Sequence, residues 1–306
     1  MDRMVTTAAD LGVLMAAIAT PYDADGAVDT GLLSTLVEDY VSRGVEGIYC
    51  CGSSGEGLLL SADERTAVVE TAVRAAEGRI PVVAHVGALS TREAIELGRR
   101  AQRAGASALS MIPPIYYSFG IEAVLDHYRA VLDAVDLPLI VYNIPQFTGT
   151  EFTLETAGEL LGDDRVIGLK QTAHNMYALE RMKAAFPDKA YINGFDEVFV
   201  PALAAGARGT IGTTVGLQVE LFQAARRLLD AGDLVRAQRV QSRINHVIAE
   251  LVAVDVFPAA KYLSGRSAGG AGALGDCRRP FRPLSEAART RLDALGATLD
   301  RFLAEG

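Results

Sequence analysis

Cysteine is scarce in this chain, and long apolar runs are missing. Its 306 residues include three cysteines, too few for a disulfide framework, and the adjacent Cys50 and Cys51 lack the C-x-x-C spacing of zinc or redox sites. No apolar stretch approaches the ~18 residues of a membrane span. The N-terminal segment Met1–Leu11 lacks the basic and apolar regions of a secretory signal. We therefore expect a cytoplasmic protein with no membrane partner.

A continuous basic surface is also missing. The formal net charge is −9, and the basic residues are mostly arginines scattered over helix-like stretches. Such a chain lacks the cationic face that holds a phosphate backbone, so nucleic acid is excluded as a partner. An anionic substrate would have to be bound by local donors, such as a buried amine and backbone N–H groups.

Short apolar runs alternate with helix-like segments, at a spacing of roughly 25–30 residues. The runs are apolar throughout, which is typical of parallel strands covered on both faces. We predict an α/β fold, a (β/α)8 TIM barrel over residues 1–230, with a C-terminal helical extension over residues 231–306 packed on it. The eight predicted strands are Val13–Ala19, Gly47–Cys51, Ile80–His85, Ala108–Ile112, Leu137–Tyr142, Val166–Lys170, Ala190–Ile192 and Gly209–Gly212.

Only four lysines stand against 25 arginines, and Lys170 ends the sixth predicted strand. A lysine that closes an apolar run either extends its amine to water, pairs with a carboxylate, or serves as a desolvated amine. Burial lowers the pKa of an amine and so favours the neutral nucleophile that Schiff-base formation requires. Lys183 and Lys189 have the pattern of solvated charges, and Lys261 lies in the tail, off any strand end. Lys170 is therefore the candidate nucleophile.

Catalytic groups of such a barrel lie where strands end and the following loops begin. Tyr142 ends the fifth predicted strand, although a buried structural tyrosine is an equal alternative. The loop Gly52–Gly57 follows the second strand, and its glycines, hydroxyls and amides could bind a carboxylate, or simply form a tight turn.

Asp196 and Glu197 follow the seventh strand and Thr213 follows the eighth, so they could bind a polyhydroxylated substrate. The alternative for both acids is stabilisation of a helix N-terminus. The four histidines do not cluster: His85 ends the third strand, and the others, including His174, lie on helix-like segments. The sequence therefore supports neither a metal site nor a Ser-His-Asp triad.

Together, these segments resemble the dihydrodipicolinate synthase / N-acetylneuraminate lyase family of class I pyruvate-dependent aldolases over essentially the whole chain. The matching motifs are Gly52-Ser-Ser-Gly-Glu56, Ala84-His-Val-Gly87 with Ser90-Thr91, Pro113-Pro-Ile-Tyr116-Tyr117, Tyr142-Asn-Ile-Pro145 and Gly168-Leu-Lys170-Gln-Thr172.

The resemblance implies a role for each of these motifs. Lys170 would be the Schiff-base lysine, Tyr142 the acid/base phenol, and Ser53 with Ser54 the group that binds the keto-acid carboxylate. Tyr116 would enter the site of a neighbouring subunit and complete a proton relay through Ser54. The family further implies a homotetramer that handles pyruvate or another small 2-keto acid, with no metal and no cofactor.

The motifs also separate two branches of the family. The synthase branch carries an arginine shortly after the Tyr-Asn-x-Pro motif, where this chain has Gln146 and Phe147. The resemblance is greater to the N-acetylneuraminate lyase branch, which implies substrate binding by Gly194, Asp196, Glu197 and Thr213. That branch usually reads Gly-Tyr-Asp-Glu and Ser-Thr-Tyr-Asn, but Phe195 and Val215-Gly216 replace the expected residues here.

We therefore expect a lyase that cleaves a 2-keto-3-deoxy sugar acid, N-acetylneuraminate first of all, to pyruvate and an aldehyde. A 2-keto-3-deoxygluconate-type aldolase is the main alternative, and a dihydrodipicolinate synthase is a weaker one. Two other classes are a non-catalytic keto-acid-binding barrel and a metal-dependent barrel enzyme. The strand ends carry no His/Asp/Glu ligand set, which counts against the metal-dependent class.

Overall fold

The chain forms a closed barrel of parallel strands surrounded by helices. A computed structural model describes residues 7–305, within which eight strands pair in chain order and β8 pairs with β1. The predicted (β/α)8 barrel is therefore confirmed. Residues 1–6, most of the segment predicted to lack a secretory signal, lie outside the described residues. The strands are β1 (Leu14–Ala17), β2 (Gly47–Cys50), β3 (Val82–His85), β4 (Ala108–Met111), β5 (Leu139–Asn143), β6 (Val166–Gln171), β7 (Ala190–Asn193) and β8 (Gly209–Gly212).

Helices follow the strands, and a helical tail follows the barrel. None of the helices within residues 7–305 combines the length and the hydropathy needed to cross a membrane. The helices are α1 (Thr30–Ser42), α2 (Ala62–Ala76), α3 (Thr91–Arg103), α4 (Ile121–Leu132), α5 (Pro145–Thr148), α6 (Leu154–Leu161), α7 (Met176–Ala185), α8 (Phe199–Ala204), α9 (Val215–Asp230), α10 (Leu234–Val252), α11 (Val256–Ser264) and α12 (Glu286–Ala304).

Several strands differ from the prediction at their ends. β3 and β5 begin after Pro81 and Pro138, because proline has no N–H to donate to a neighbouring strand. β6 and β7 extend one residue further than predicted, to Gln171 and Asn193, which pair in register. These polar side chains are fully buried, so the strands continue past the point at which their apolar pattern stops.

Alternation along the strands decides which side chains enter the barrel. On β5, Ile140 and Tyr142 join the cluster inside the barrel, whereas Leu139 and Val141 pack outward against the helices. Side chains alternate between the two faces of a strand. On β6, Leu169 packs outward, so Lys170 points inward beside Tyr142, its register partner on β5.

The tail is joined to the barrel by contacts with α2. Arg278, which follows α11, pairs with Glu64 in the first turn of α2 and donates from Nη1 to the Leu59 carbonyl at 3.1 Å. The guanidinium holds the pKa of Glu64 at about 2, below the ordinary 4.5. The predicted boundary between residues 230 and 231 coincides with the end of α9, and the division of the chain into a barrel and a packed helical extension stays a prediction.

This ion pair predicts a pH-dependent stability. Because the pKa of Glu64 is lower in the folded state, its stabilisation is present above about pH 4.5 and is lost as the pH falls toward about 2. Glu64→Gln should therefore unfold at a lower urea concentration than the original protein at neutral pH, and this difference should shrink on acidification. Glu70→Gln, a change on an exposed position of the same helix, is the control. A difference that stays constant with pH would contradict the assignment.

Candidate active site

A cavity of about 190 Å³ opens at the carboxyl end of the barrel strands. A larger cavity of about 810 Å³ lies at the amino end, beside Val82 and Pro138, and none of the predicted site residues lines it. The smaller cavity therefore holds the candidate site. Its lining includes eight of the nine predicted residues, namely Ser53, Ser54, Tyr142, Lys170, Gly194, Asp196, Glu197 and Thr213.

Lys170 is a buried amine, with 4% of the residue exposed. Its Nζ lies 3.9 Å from the centroid of the Tyr142 ring and 4.6 Å from that of Tyr49. In residues 7–305, Lys170 forms no ion pair with a carboxylate. Burial excludes an amine extended to water, and the missing ion pair excludes a structural salt bridge. The geometry therefore fits a lysine whose amine is available to react with a substrate.

Tyr49 is a neighbour of this amine that the sequence reasoning missed. Its ring meets the Tyr142 ring edge-on at 6.3 Å, and its hydroxyl donates to Ser110 Oγ at 3.1 Å. Burial, and next the nearby Tyr142, raise the pKa of Tyr49 well above its usual value, so it stays a neutral phenol. Burial, followed by the charge of Arg65, lowers the pKa of the adjacent His85, which stays neutral as well. The place of Tyr49 in β2, at a position whose side chain points into the barrel, is the signal in the sequence that could have identified it.

The loop Gly52–Gly57 is folded on itself by backbone hydrogen bonds. The amides of Gly55 and Gly57 both donate to the Gly52 carbonyl at 3.1 Å. A Cβ on Gly57 would lie 1.7 Å from the Cys51 carbonyl oxygen, so this position requires glycine.

The same loop presents free donors to the cavity. Within the described part of the chain, the backbone N–H groups of Ser53 and Ser54 donate to no acceptor. Ser54 Oγ shares a hydrogen bond of 2.7 Å with Thr213 Oγ1, across the mouth of the barrel. Two free N–H groups beside two hydroxyls form an arrangement that can bind a carboxylate.

The other lysines have structural contacts or lie outside the cavity. Lys261 forms a buried ion pair with Glu56, with 2.9 Å between Nζ and Oε1. Lys183 is exposed, as predicted. The prediction for Lys189 was wrong: its Nζ donates to the Asp163 and Val166 carbonyls at 2.9 and 2.7 Å, so it caps the start of β6.

Asp196 lines the cavity, but its oxygens already accept hydrogen bonds. Oδ2 accepts from the Thr214 amide at 2.9 Å and from its hydroxyl at 2.7 Å, and Oδ1 accepts from Thr210 Oγ1 at 3.2 Å. Burial raises the pKa of this carboxyl, which is 5% exposed. These contacts join the loops after β7 and β8, so Asp196 fixes the shape of the cavity wall.

Glu197 and His174 lie together at the mouth of the cavity. Glu197 Oε1 is 3.7 Å from His174 Nε2, and the imidazole stacks on Phe195 with a centroid separation of 4.6 Å. The placement of His174 on a helix was wrong. Asn175 accepts from the Ala178 amide and caps α7, so His174 belongs to the loop before that helix.

Tyr116 is separate from the cavity. It lies in the loop between β4 and α4, is 87% exposed, and has a left-handed φ of 80°. Its ring contacts Tyr117, at a centroid distance of 5.0 Å. The predicted role of Tyr116 needs a second chain and stays a prediction.

The tail supplies part of the cavity wall, which the sequence did not predict. Ile248 and Val252 of α10 are four residues apart and face the cavity, as do Val256 and Phe257 of α11. Together with Phe195 they make the outer wall apolar. In the described ranges, no group of three His, Cys, Asp or Glu side chains is placed to hold a metal ion.

Comparison with known proteins places this geometry in a family. The family model described as "Dihydrodipicolinate synthetase family" matches residues 10–298. An N-acetylneuraminate lyase of Rhizobium meliloti is 42% identical over 274 residues, which cover 90% of each chain.

Solved structures agree with this match. The structure of CdNal from Clostridium difficile in complex with mannosamine superposes with a TM-score of 0.90 at 29% identity, over 95% of this chain and 99% of that one. A catalytic lysine mutant of the Ruminococcus gnavus sialic acid aldolase gives a TM-score of 0.93 at 27% identity, over 98% and 99%.

Proposed function

Because this chain belongs to the dihydrodipicolinate synthetase family, we propose that it is a class I lyase that cleaves a 2-keto-3-deoxy sugar acid to pyruvate and an aldehyde. One observation supports this function above the others. Within residues 7–305, a buried lysine with no carboxylate partner lies against a phenol, in a cavity that is also lined by two residues whose backbone N–H groups donate to no acceptor.

In the proposed reaction, the neutral amine of Lys170 attacks the C2 ketone, and water leaves to give an iminium ion. Tyr142, acting as a phenolate base, removes the proton of the C4 hydroxyl and can return it to C3 in the later protonation step. The electrons of the breaking C3–C4 bond move into the iminium, which becomes an enamine as the aldehyde forms. Protonation at C3 and hydrolysis then release pyruvate and restore the amine. The Schiff base itself accepts the electrons, so the proposal needs no metal and no cofactor.

The carboxylate of the substrate has a binding place beside this amine. The backbone amides of Ser53 and Ser54 supply donors at the loop after β2, and the hydroxyls of Ser54 and Thr213 supply two more. Binding a carboxylate there would replace the Ser54–Thr213 hydrogen bond, and it would orient C2 toward Lys170. Gly194, Glu197 and Thr213 then line the side that receives the rest of the substrate.

N-acetylneuraminate is the first substrate that we propose, since the 42% identical relative carries that lyase name. A shorter 2-keto-3-deoxygluconate-type acid is the second candidate. It is favoured by Phe195 and by the apolar outer wall, because these side chains offer few partners for a chain of hydroxyls.

We further propose that the enzyme is a cytoplasmic homotetramer. Tyr116 supports the assembly, because an aromatic side chain that is 87% exposed and adjoins the exposed Tyr117 is suited to an interface. In that assembly Tyr116 would reach the relay at Ser54 of a neighbouring copy.

A pyruvate-release assay distinguishes the candidate substrates. We expect N-acetylneuraminate to release pyruvate faster than 2-keto-3-deoxygluconate or 4-hydroxy-2-oxoglutarate, with unchanged rates after EDTA treatment. Fastest release from 2-keto-3-deoxygluconate would favour the second candidate. Loss of activity with EDTA would contradict the metal-free mechanism, and no release from any of the three acids would contradict the lyase assignment.

A further inference from the structure

A fully buried ion pair holds the loop Gly52–Gly57, which is proposed to bind the substrate carboxylate. Lys261 Nζ of α11 lies 2.9 Å from Glu56 Oε1, and 1% and 0% of the two side chains are exposed. Glu56 is two residues from Ser54 in the loop Gly52–Gly57. Building on the proposed function, we infer that Glu56 and Lys261 are positioning residues: the tail sets the geometry in which Ser53 and Ser54 bind the substrate carboxylate.

The conformation of Glu56 needs support from outside the loop. Its φ of 55° is left-handed, which is uncommon for a residue other than glycine. Its Oε2 accepts from the Arg278 amide at 2.6 Å, while Lys261 also donates to the Asp276 carbonyl at 3.1 Å. The Lys261 amine further lies 3.8 Å from the centroid of the Tyr22 ring. Both oxygens of the Glu56 carboxylate are therefore held by the tail.

The position of Glu56 affects Ser53 and Ser54 because hydrogen bonds join the residues of the loop. The Glu56 amide donates to the Ser53 carbonyl at 3.1 Å, and Thr20 Oγ1 donates to the Gly55 carbonyl at 2.7 Å. Gly57 packs closely on Cys51, so the end of the loop lies directly against the residue that follows β2. A displacement of Glu56 would consequently move the Ser53 peptide and the free amides next to it.

Stability alone is a poor explanation for this pair. A buried ion pair gains little over apolar side chains of the same volume, because both charges lose their hydration. Removal of one partner alone leaves an unpaired buried charge, which can unfold the protein. A loss of substrate binding in such a variant could not then be attributed to positioning. The test therefore removes both charges together, or keeps both and changes the length of one side chain.

The experiment titrates pyruvate at fixed borohydride and measures the reduced adduct on Lys170 by mass spectrometry. Two variants are compared with the original protein: Glu56→Asp, which keeps the charge but is one methylene shorter, and the double variant Glu56→Gln with Lys261→Met. In each, we expect the pyruvate concentration for half-maximal labelling to rise about tenfold. In the cleavage assay KM should rise with it, whereas kcat and maximal labelling should change by less than about threefold.

A variant with a destabilised tail and an intact loop is the control. Leu292→Ala truncates a fully buried side chain of α12 and should lower the melting temperature, with half-maximal labelling unchanged. The inference would be overturned if a folded Glu56→Asp or double variant reached half-maximal labelling at the same pyruvate concentration as the original protein. An equal rise in Leu292→Ala would overturn it as well. If the original protein gives no adduct at any pyruvate concentration, the proposed function fails instead.

Discussion

Replacing Lys170 with methionine is expected to lower pyruvate release by about 10⁴-fold or more and to abolish the borohydride-trapped adduct. Methionine fills a similar volume but has no amine. No iminium ion can therefore form to accept the electrons of the C3–C4 bond. The position is buried between the rings of Tyr142 and Tyr49, where we expect an uncharged side chain to be tolerated. Mass spectrometry of a digest after reduction with pyruvate locates the adduct, and a coupled assay follows turnover.

Lys183→Met is the matched control, because it removes an exposed amine near the end of α7. It should keep both the adduct and the original turnover. A second useful comparison is Lys261, the other buried amine: labelling there rather than on Lys170 would show that the nucleophile has been assigned to the wrong lysine.

Tyr142→Phe should separate Schiff-base formation from bond cleavage. The phenylalanine ring keeps the packing against Lys170 and Tyr49, so pyruvate should still be trapped on Lys170. Without the hydroxyl, no group removes the proton from the C4 oxygen, and turnover should fall about 10²–10⁴-fold. Rapid-quench kinetics with the substrate would place the loss in the cleavage step.

Tyr191→Phe is the control for removing a buried phenol. Its hydroxyl donates to the Met182 carbonyl at 2.7 Å, and Tyr191 does not line the cavity. This variant should lose some stability and keep its turnover. If Tyr142→Phe turns over at the original rate, Tyr142 has no acid/base role, and its presence at the strand end is structural.

The fold could be predicted because the strands are apolar runs at a regular spacing. Errors occurred where a strand does not follow its apolar pattern. Pro138 delays β5, and the buried Gln171 extends β6 beyond Lys170. His174 was misplaced because the cap at Asn175, rather than the helix-like pattern, decides where α7 begins.

Proximity of the candidate site residues could be predicted where strand order alone places residues together. Tyr142 and Lys170 end neighbouring strands and are register partners in the barrel. Contacts between distant segments could not be predicted in this way. Lys261 lies off any strand end, and its pairing with Glu56 depends on how the tail packs against the loop after β2. The same packing brings Ile248 and Phe257 to the cavity.

The apolar wall formed by α10 and α11 has an evolutionary consequence. The two groups proposed for the chemistry, Tyr142 and Lys170, come from β5 and β6, whereas Ile248 to Phe257 come from the last quarter of the chain. Under the proposed function, the reacting lysine and tyrosine and the apolar wall beside the aldehyde are thus encoded in separate stretches of the gene. Recombination downstream of Lys170 that keeps Thr213 and Lys261 could exchange the accepted aldehyde while inheriting the lysine and tyrosine intact.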